Sequence, residues 1–499
     1  MAAEAQLFLR AAAHGTRSAI RSGGSEYSYD DLLRASARVA ARLLDAVDDL
    51  AEARVAFLVP PGFAYSVVQW GIWRAGGIAV PLATSHPIPE LAYTIADADA
   101  TVAIADDAHV SDVRAAAAAH GCAVWSLSEL MTDAVAMPAA LPQLEADRRA
   151  MILYTSGTTS RPKGVVTTHG GLEEQIRTLV DAWAWHADDH ILCVLPLHHV
   201  HGIVNVLGCA QWSGARCTVQ SSFDAQATWD AIAGGDLTLF MAVPTIYTKL
   251  IAAWRAAPPE RRAELSAACA RMRLMVSGSA ALPVSTLAEW RDISGHTLLE
   301  RYGMTEIGMA LSNPLHGERR PGHVGTPLPG VDVRLVDEQG ERVADGSPGE
   351  IEVRGPGVFR EYWRRPDVTR DAFRAGGWFR TGDVAVVDNG YYRILGRSSV
   401  DIIKTGGYKV SALEIEEVLR THPAIRECAV VGVPDDEWGE RVAAAIVGDT
   451  ADLDAASLRA WAKAQLAPYK VPTRVTFVRE LPRNAMGKVT KQDVKQLFA

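Results

Sequence analysis

The chain has 499 residues, of which 48% are hydrophobic and 22% charged, and its formal net charge is −9. A chain of this length is too long for one simple hydrophobic core, and its composition is that of an ordinary globular protein. The negative net charge argues against a nucleic-acid partner. The six cysteines are scattered without a Cys-x-x-Cys pair, which favours reduced thiols over a disulfide or zinc framework.

The first residues of the chain and its hydropathy predict where in the cell the protein is located. Residues 1–5 include an acidic side chain and no sustained apolar core, so they make a poor signal peptide. No stretch is long and apolar enough to span a bilayer. We therefore expect a cytoplasmic protein with no membrane partner.

Strand and helix patterns alternate through the first part of the chain. The expected elements are, in order, a buried strand at 54–59, a helix at 64–75, a strand at 77–81, a helix at 89–96, a strand at 101–105, a surface helix at 113–120 and a buried strand at 150–154. Such alternation predicts an α/β fold, with parallel sheets that carry helices on their faces.

The pattern changes in the second half of the chain. Alternating strands between 331 and 353, around Gly340 and the turn at 346–349, predict a small β subdomain. After Gly396 we expect a helix at 411–421, a strand at 428–433, a helix at 455–466 and a strand at 475–478. About 100 residues suffice for an independent domain. We therefore predict a large N-terminal domain over 1–396 and a small α+β C-terminal domain over 402–499.

The segment from Tyr154 to Gly164 is rich in hydroxyl groups and glycine. It follows a buried strand, at the edge where open α/β sheets place ligands, and its free backbone N–H groups suit a phosphate. It lacks the Lys-Ser/Thr pair of a Walker A loop. A flexible surface loop has the same composition, so this segment alone leaves both interpretations open.

Further motifs follow in a fixed order. They are Tyr302-Gly303-Met304-Thr305-Glu306, Thr381-Gly382-Asp383, Gly396-Arg397 running through Asp401 to Gly406-Gly407, and the stretch from Pro482 to Lys488. Together with the hydroxyl-rich loop, from about residue 79 to residue 488, they resemble the adenylate-forming superfamily. That superfamily comprises acyl-CoA synthetases, carrier-domain adenylation domains and luciferases.

The resemblance implies that ATP activates a carboxylic acid and that coenzyme A accepts the acyl group. Driving one anion onto the phosphate of another requires donors, cations and a metal ion rather than a protein nucleophile. Thr305 is expected to reach the α-phosphate, and Glu306 to hold Mg²⁺. The residues expected to bind ATP are Thr155, Ser156, Gly157, Thr158, Thr159, Lys163, Ser277, Gly278, Ser279, Tyr302, Gly303, Asp383 and Arg397.

Lys488 matches the lysine whose ammonium bridges the substrate carboxylate and the α-phosphate as their bond forms. Because Lys488 belongs to the C-terminal unit, that unit must swing in for adenylation and out for thioester formation. Residues 397–401 are therefore the expected hinge, with Ser398 and Asp401 as its pivots. Acetylation of Lys488 by a lysine acetyltransferase would remove the charge. The residues expected to face coenzyme A after rotation are Lys404, Gly406, Gly407 and Tyr408.

Arg301 stands where most relatives carry a small residue beside the acyl chain. A guanidinium there is costly unless it is paired, and its fork geometry suits a second carboxylate on the substrate. His201 and Met304 are expected to line the same pocket. Residues 199–202, 300–306 and 396–404 resemble malonyl-CoA synthetases, which take malonate and often methylmalonate. The alternative is that Arg301 points away and pairs with Glu300 or another acid.

Two other functions stay open from the sequence. One is a ligase for a monocarboxylic or aryl acid, for which Arg301 is an awkward residue. The other is a module that loads a partner carrier protein, or a non-catalytic ligand sensor. The given sequence ends soon after Lys488 without a carrier domain, and its motifs are intact, so we expect neither.

Overall fold

Two large sheets dominate the N-terminal part of the protein. The computed structural model describes residues 6–45, 47–131, 140–155, 161–448, 453–483 and 489–498. One sheet has the strand order Thr326–Pro327, Gly308–Ser312, Leu299–Met304, Leu274–Ser277, Leu239–Ala242, His190–Cys193, Arg216–Val219, Ser18–Ser22 and Ser25–Ser28. The other has the order Glu361–Tyr362, Lys163–Thr168, Arg149–Thr155, Ile78–Pro81, Arg54–Leu58, Val102–Ala105 and Ala123–Ser126. Their central strands are parallel, as predicted.

Helices cover the faces of the sheets in both the N-terminal and the C-terminal parts of the protein. The α-helices are Gln6–His14, Tyr29–Leu44, Phe63–Arg74, Ile88–Ala98, Val110–Ala117, Leu127–Leu130, His169–Ala182, Cys209–Ser213, Ala225–Ala233, Pro244–Ala256, Pro259–Ala270, Val284–Ser294, Pro366–Ala372, Ala412–Arg420, Ala455–Gln465 and Lys491–Gln496. A π-helix, His201–Gly208, and a 3₁₀-helix, Pro468–Lys470, complete the set. Within the described ranges, none of these helices has the length and apolar character needed to cross a membrane.

The helix Phe63–Arg74 lies between the two large sheets. It is buried without interruption from Tyr65 to Trp73, and it contacts a strand of each sheet. Its side chains share one hydrophobic core with Val55 of one sheet and Ile191 of the other. Because the parallel strands are covered on both faces, they read in the sequence as continuous apolar runs.

The predicted helix at 113–120 lies three residues earlier, at Val110–Ala117. It follows a turn in which the Asp106 carboxylate binds the ring of His109, and it gives way to a turn that ends at Gly121, whose φ is 64°. Its buried residues face a core, so it is amphipathic rather than a pure surface helix. The buried face of the helix was not recognisable in the Ala-rich sequence, because alanine is common both in the core and on the surface.

A third, antiparallel sheet confirms the predicted β subdomain. Its strands are Asp332–Val336, Gly349–Arg354, Trp378–Asp388 and Phe373–Arg374, with Tyr391–Arg397 paired to Trp378–Asp388. Of these strands, only the two before residue 355 were predicted from the sequence. The later strands are half-buried and carry charged residues among apolar ones, so their alternation is weak.

The C-terminal unit is a fourth sheet with helices on both faces. Its strand order is Tyr408–Ser411, Ile402–Thr405, Gly439–Gly448 and Ile425–Asp435, with Arg474–Phe477 paired to Gly439–Gly448. One core packs Ala412–Arg420 and Ala455–Gln465 on this sheet, and a second packs Lys491–Gln496 on its other face. The predicted α+β character is confirmed.

Candidate active site

A cleft of about 2180 Å³ separates the carboxyl ends of the N-terminal strands from the C-terminal unit. Thr155 and Met304 are the last residues of their strands, at the edge where open α/β sheets bind ligands. The predicted site residues that line this cleft are Thr155, Lys163, His201, Ser279, Arg301, Tyr302, Gly303, Met304, Thr305, Glu306, Asp383, Arg397, Ser398, Asp401 and Lys404. The structure thus brings together residues more than two hundred positions apart in the chain.

Some predicted site residues are elsewhere. Ser156, Gly157, Thr158, Thr159 and Lys488 lie outside the described residues. Arg483 and Val489 form an isolated antiparallel bridge, and both line the cleft. Among the described positions, those that do not line it are Ser277, Gly278, Gly406, Gly407 and Tyr408. The CoA-binding role predicted for the last three residues was tied to a rotated C-terminal unit.

Asp383 is held between two neighbouring side chains. It lies opposite Arg397 across an antiparallel strand pair, and Nε of Arg397 donates to Asp383 Oδ1 at 3.0 Å. The hydroxyl of Tyr302 donates to Asp383 Oδ2 at 2.6 Å. The carboxylate is therefore fixed in orientation and paired with Arg397, which suits an acceptor of ligand hydroxyl groups.

Glu306 and Tyr362 form a second, buried group, with the half-buried Lys163 beside them. Tyr362 donates to Glu306 Oε1 at 2.9 Å, and Nζ of Lys163 lies 4.6 Å from the centre of the Tyr362 ring. Burial raises the pKa of Glu306, and the charges of Arg397 and Lys163 oppose this shift. Mg²⁺ is commonly held by one or two carboxylates together with substrate phosphates, so this single carboxylate beside a lysine fits such an ion.

Arg301 is a buried cation without a carboxylate partner. Its residue is 3% exposed, and burial lowers the pKa of the guanidinium to about 9, which leaves it charged at neutral pH. Within the described part of the chain it forms no ion pair, and its Nε has no hydrogen-bond partner. Its terminal nitrogens lie 3.5 Å from Ser279 Oγ, which is itself 3.2 Å from Nδ1 of His201. An uncompensated buried charge of this kind calls for an anionic ligand.

The alternative pairing of Arg301 with Glu300 is wrong. Burial raises the pKa of Glu300 to about 8, and its Oε2 has no hydrogen-bond partner among the described residues. Successive residues of a strand point to opposite faces, which separates the two side chains. Gly278 makes room for the guanidinium, because a Cβ atom there would lie 2.6 Å from Arg301 Cζ.

Tyr362 and Lys249 are two of the cleft residues that the sequence did not single out. Tyr362 lies in a two-residue strand beside Lys163–Thr168 and is 56 positions from Glu306, so no local pattern joins them. Lys249, on the helix Pro244–Ala256, also lines the cleft and places a further cation there. A lysine on an exposed helical face carries no signal that distinguishes it from a solvated one.

Comparison with known proteins identifies the class. The model of the AMP-binding enzyme family matches residues 7–363, and that of the AMP-binding enzyme C-terminal domain matches residues 414–488. The chain therefore belongs to the AMP-binding enzyme family, the adenylate-forming superfamily that the motifs predicted.

Several relatives of this chain are named as malonate–CoA ligases. It is 46% identical to the mitochondrial malonate–CoA ligase ACSF3 of Bos taurus, over 99% of this chain and 90% of that protein. It is 39% identical to a malonate–CoA ligase of Arabidopsis thaliana, over 96% and 86% respectively. Its structure is similar to that of ATP-bound MatB from Rhodopseudomonas palustris, with a TM-score of 0.92, 37% identity and 99% coverage of both chains.

Proposed function

We propose that the protein is an ATP-dependent malonate–CoA ligase that also accepts methylmalonate. It forms malonyl-AMP and pyrophosphate, then malonyl-CoA and AMP. The observation that supports malonate as the substrate acid is Arg301. Its buried and unpaired guanidinium matches the distal carboxylate of malonate in charge and fork geometry. The names of the relatives at 46% and 39% identity support the same assignment.

The first half-reaction joins the malonate carboxylate to the α-phosphate of ATP. Lys163 and the loop that begins at Thr155 bind the β- and γ-phosphates, and Thr305 binds the α-phosphate. Glu306 would hold Mg²⁺, which would supply neutralising charge for the phosphate oxygens. The site supplies donors and cations at the positions where negative charge accumulates. The carboxylate of Asp383, fixed by Tyr302 and Arg397, accepts hydrogen bonds from the ribose hydroxyls.

The C-terminal unit supplies the remaining groups. Lys488 bridges the reacting carboxylate and phosphate, and the unit then rotates about residues 397–401, with Ser398 and Asp401 as pivots. After rotation, the turn containing Gly406 and Gly407, with Lys404 and Tyr408 beside it, faces the pantetheine of coenzyme A. Acetylation of Lys488 and a cytoplasmic location stay predictions, which mass spectrometry and cell fractionation would test.

A panel of acids tests the assignment. With ATP, Mg²⁺ and CoA, we expect kcat/KM for malonate to exceed that for propionate by about 30-fold or more, because propionate leaves Arg301 buried and unpaired at a cost of about 2 kcal/mol or more. The measurement is pyrophosphate release over malonate, methylmalonate, propionate and benzoate. Equal or faster turnover of the monocarboxylates would contradict the proposal. Release that continues at full rate without CoA would point instead to another acceptor.

Tyr362 provides a second test, of the metal site. We expect Tyr362→Phe to raise the Mg²⁺ concentration needed for half-maximal pyrophosphate release by about 10-fold, because a hydrogen bond to a charged group contributes about 1.5–3 kcal/mol. Because Tyr362 donates to a buried carboxylate, the variant should also unfold at a lower temperature, so the assay is run where both proteins are folded. Tyr302→Phe, which removes the hydroxyl that binds Asp383, is the matched control and should leave the Mg²⁺ dependence unchanged. The same Mg²⁺ dependence in Tyr362→Phe and the unmodified protein would show that the Tyr362 hydroxyl does not support Glu306 in binding Mg²⁺.

A further inference from the structure

A chain of charged contacts runs from the cleft into the last helix of the protein. The guanidinium of Arg397 binds Asp383, and the backbone N–H of Arg397 donates to Asp401 Oδ2 at 3.0 Å. The other oxygen, Asp401 Oδ1, lies 3.7 Å from Nζ of Lys491. Lys491 begins the helix Lys491–Gln496, directly after the segment that carries Lys488. These contacts connect the proposed ribose site to the C-terminal segment.

Lys491 is anchored inside the C-terminal unit. Its Nζ forms an ion pair with Glu416 and donates to the carbonyl oxygen of Val430 at 2.7 Å. Glu416 is also bound by Arg420, at 3.1 Å, and the Lys491 and Glu416 side chains are only 12% and 5% exposed. Breaking such a buried pair is costly, so Lys491 moves with the C-terminal sheet as one body.

Asp401 belongs to the segment between the two units. Its carbonyl oxygen accepts from Ala412 in the C-terminal unit, while its carboxylate accepts from Arg397 at the end of the N-terminal unit. Burial raises the pKa of Asp401, and the charge of Lys491 opposes this shift. Rotation about residues 397–401 changes the backbone dihedral angles there, and with them the alignment of the carboxylate with the Arg397 N–H group.

We propose that Lys491 is a positioning residue for adenylation. By keeping the Asp401 carboxylate aligned against Arg397, it stabilises the orientation of the C-terminal unit in which Arg483 and Val489, the described residues on either side of Lys488, line the cleft. The inference rests on the proposed function, because only an enzyme with two half-reactions requires two orientations.

Separate assays of the two half-reactions test this role. We expect Lys491→Met to lower malonate-dependent ATP–pyrophosphate exchange by about 10-fold, and conversion of supplied malonyl-adenylate to malonyl-CoA by no more than about twofold, since couplings of this kind span about 5- to 150-fold. Lys491→Arg keeps the charge and should restore most of the exchange activity. Lys495→Met is the matched control. Lys495 is on the same helix and lies 3.8 Å from Glu440, away from Asp401, so both half-reactions should stay unchanged.

An equal fall in both half-reactions of Lys491→Met would overturn the inference, and so would unchanged exchange. If Lys491→Met lowers the thermal stability of the protein, Asp401→Asn is the second test, because this variant leaves the Lys491–Glu416 pair intact. Asp401→Asn should lower ATP–pyrophosphate exchange selectively. An unaltered ratio of the two half-reactions would reject the positioning role of Lys491. A wild-type protein without malonate-dependent exchange would refute the proposed function instead, so the two failures are distinguishable.

Discussion

Lys488→Ala is expected to lower malonyl-adenylate formation by about 100- to 1000-fold, the loss typical of removing one group that stabilises charge in a transition state. Conversion of supplied malonyl-adenylate to malonyl-CoA should persist largely unchanged, because the lysine acts only in the adenylation orientation. The two half-reactions are measured as ATP–pyrophosphate exchange and as thioester formation. Lys495→Ala serves as the control, since Lys495 belongs to the same C-terminal segment and is paired with Glu440.

Equal loss of both half-reactions in Lys488→Ala would show that the substitution disturbs the C-terminal unit as a whole. Lys488→Arg adds a geometric test. A guanidinium keeps the charge but is planar and bulkier than an ammonium, so it should restore little of the exchange. Full recovery with arginine would mean that any nearby cation suffices and that the position of Lys488 is not specific.

Arg301→Ala is expected to lower kcat/KM for malonate. The loss should correspond to about 2 to 5 kcal/mol of transition-state stabilisation, the range for removing one partner of a buried charge pair. Propionate should lose nothing, because it has no distal carboxylate to bind. Arg301→Lys should recover part of the malonate activity, since an ammonium cannot reproduce a bidentate fork. The measurement is kcat/KM for both acids in each variant. A fall by the same factor for both acids would assign Arg301 to the fold or the nucleotide, and the dicarboxylate assignment would lose its main support.

Gly278→Ala provides an independent route to the same conclusion. A Cβ atom at this position would lie 2.6 Å from Arg301 Cζ, so the guanidinium must move. We expect a selective loss of malonate over propionate, without any change in the charges of the site. A nonselective loss would indicate that the substitution disturbs the strand end rather than the acid pocket.

Much of the fold follows from local pattern. The continuous apolar run at Arg54–Leu58 and the helix Phe63–Arg74 were recognisable because a strand or helix covered on all sides is apolar throughout. The strands of the β subdomain between residues 373 and 397 were missed, since half-buried strands carry charges that break the alternation. The helix at Val110–Ala117 was displaced, because alanine gives no clear amphipathic pattern.

Many of the residues predicted for the site meet in the structure, and their roles stay predictions. Motifs distributed from Thr155 to Asp401 line one cleft. Thr155 and Met304 end strands of the two large sheets, whereas Asp383 and Arg397 reach the cleft from an antiparallel strand pair. The family and its chemistry follow from the order of those motifs.

The sequence by itself determined the fold class, the family and the residue types of the site. Only the tertiary structure decided which partners these residues have. Arg301 could have paired with Glu300, yet packing buries it alone beside Ser279, and that isolation points to a substrate carboxylate. Likewise, Tyr362 reaches Glu306 through long-range packing. Sequence patterns report short-range periodicity, whereas solvent exclusion and the distance between distant charges arise only when the chain is packed.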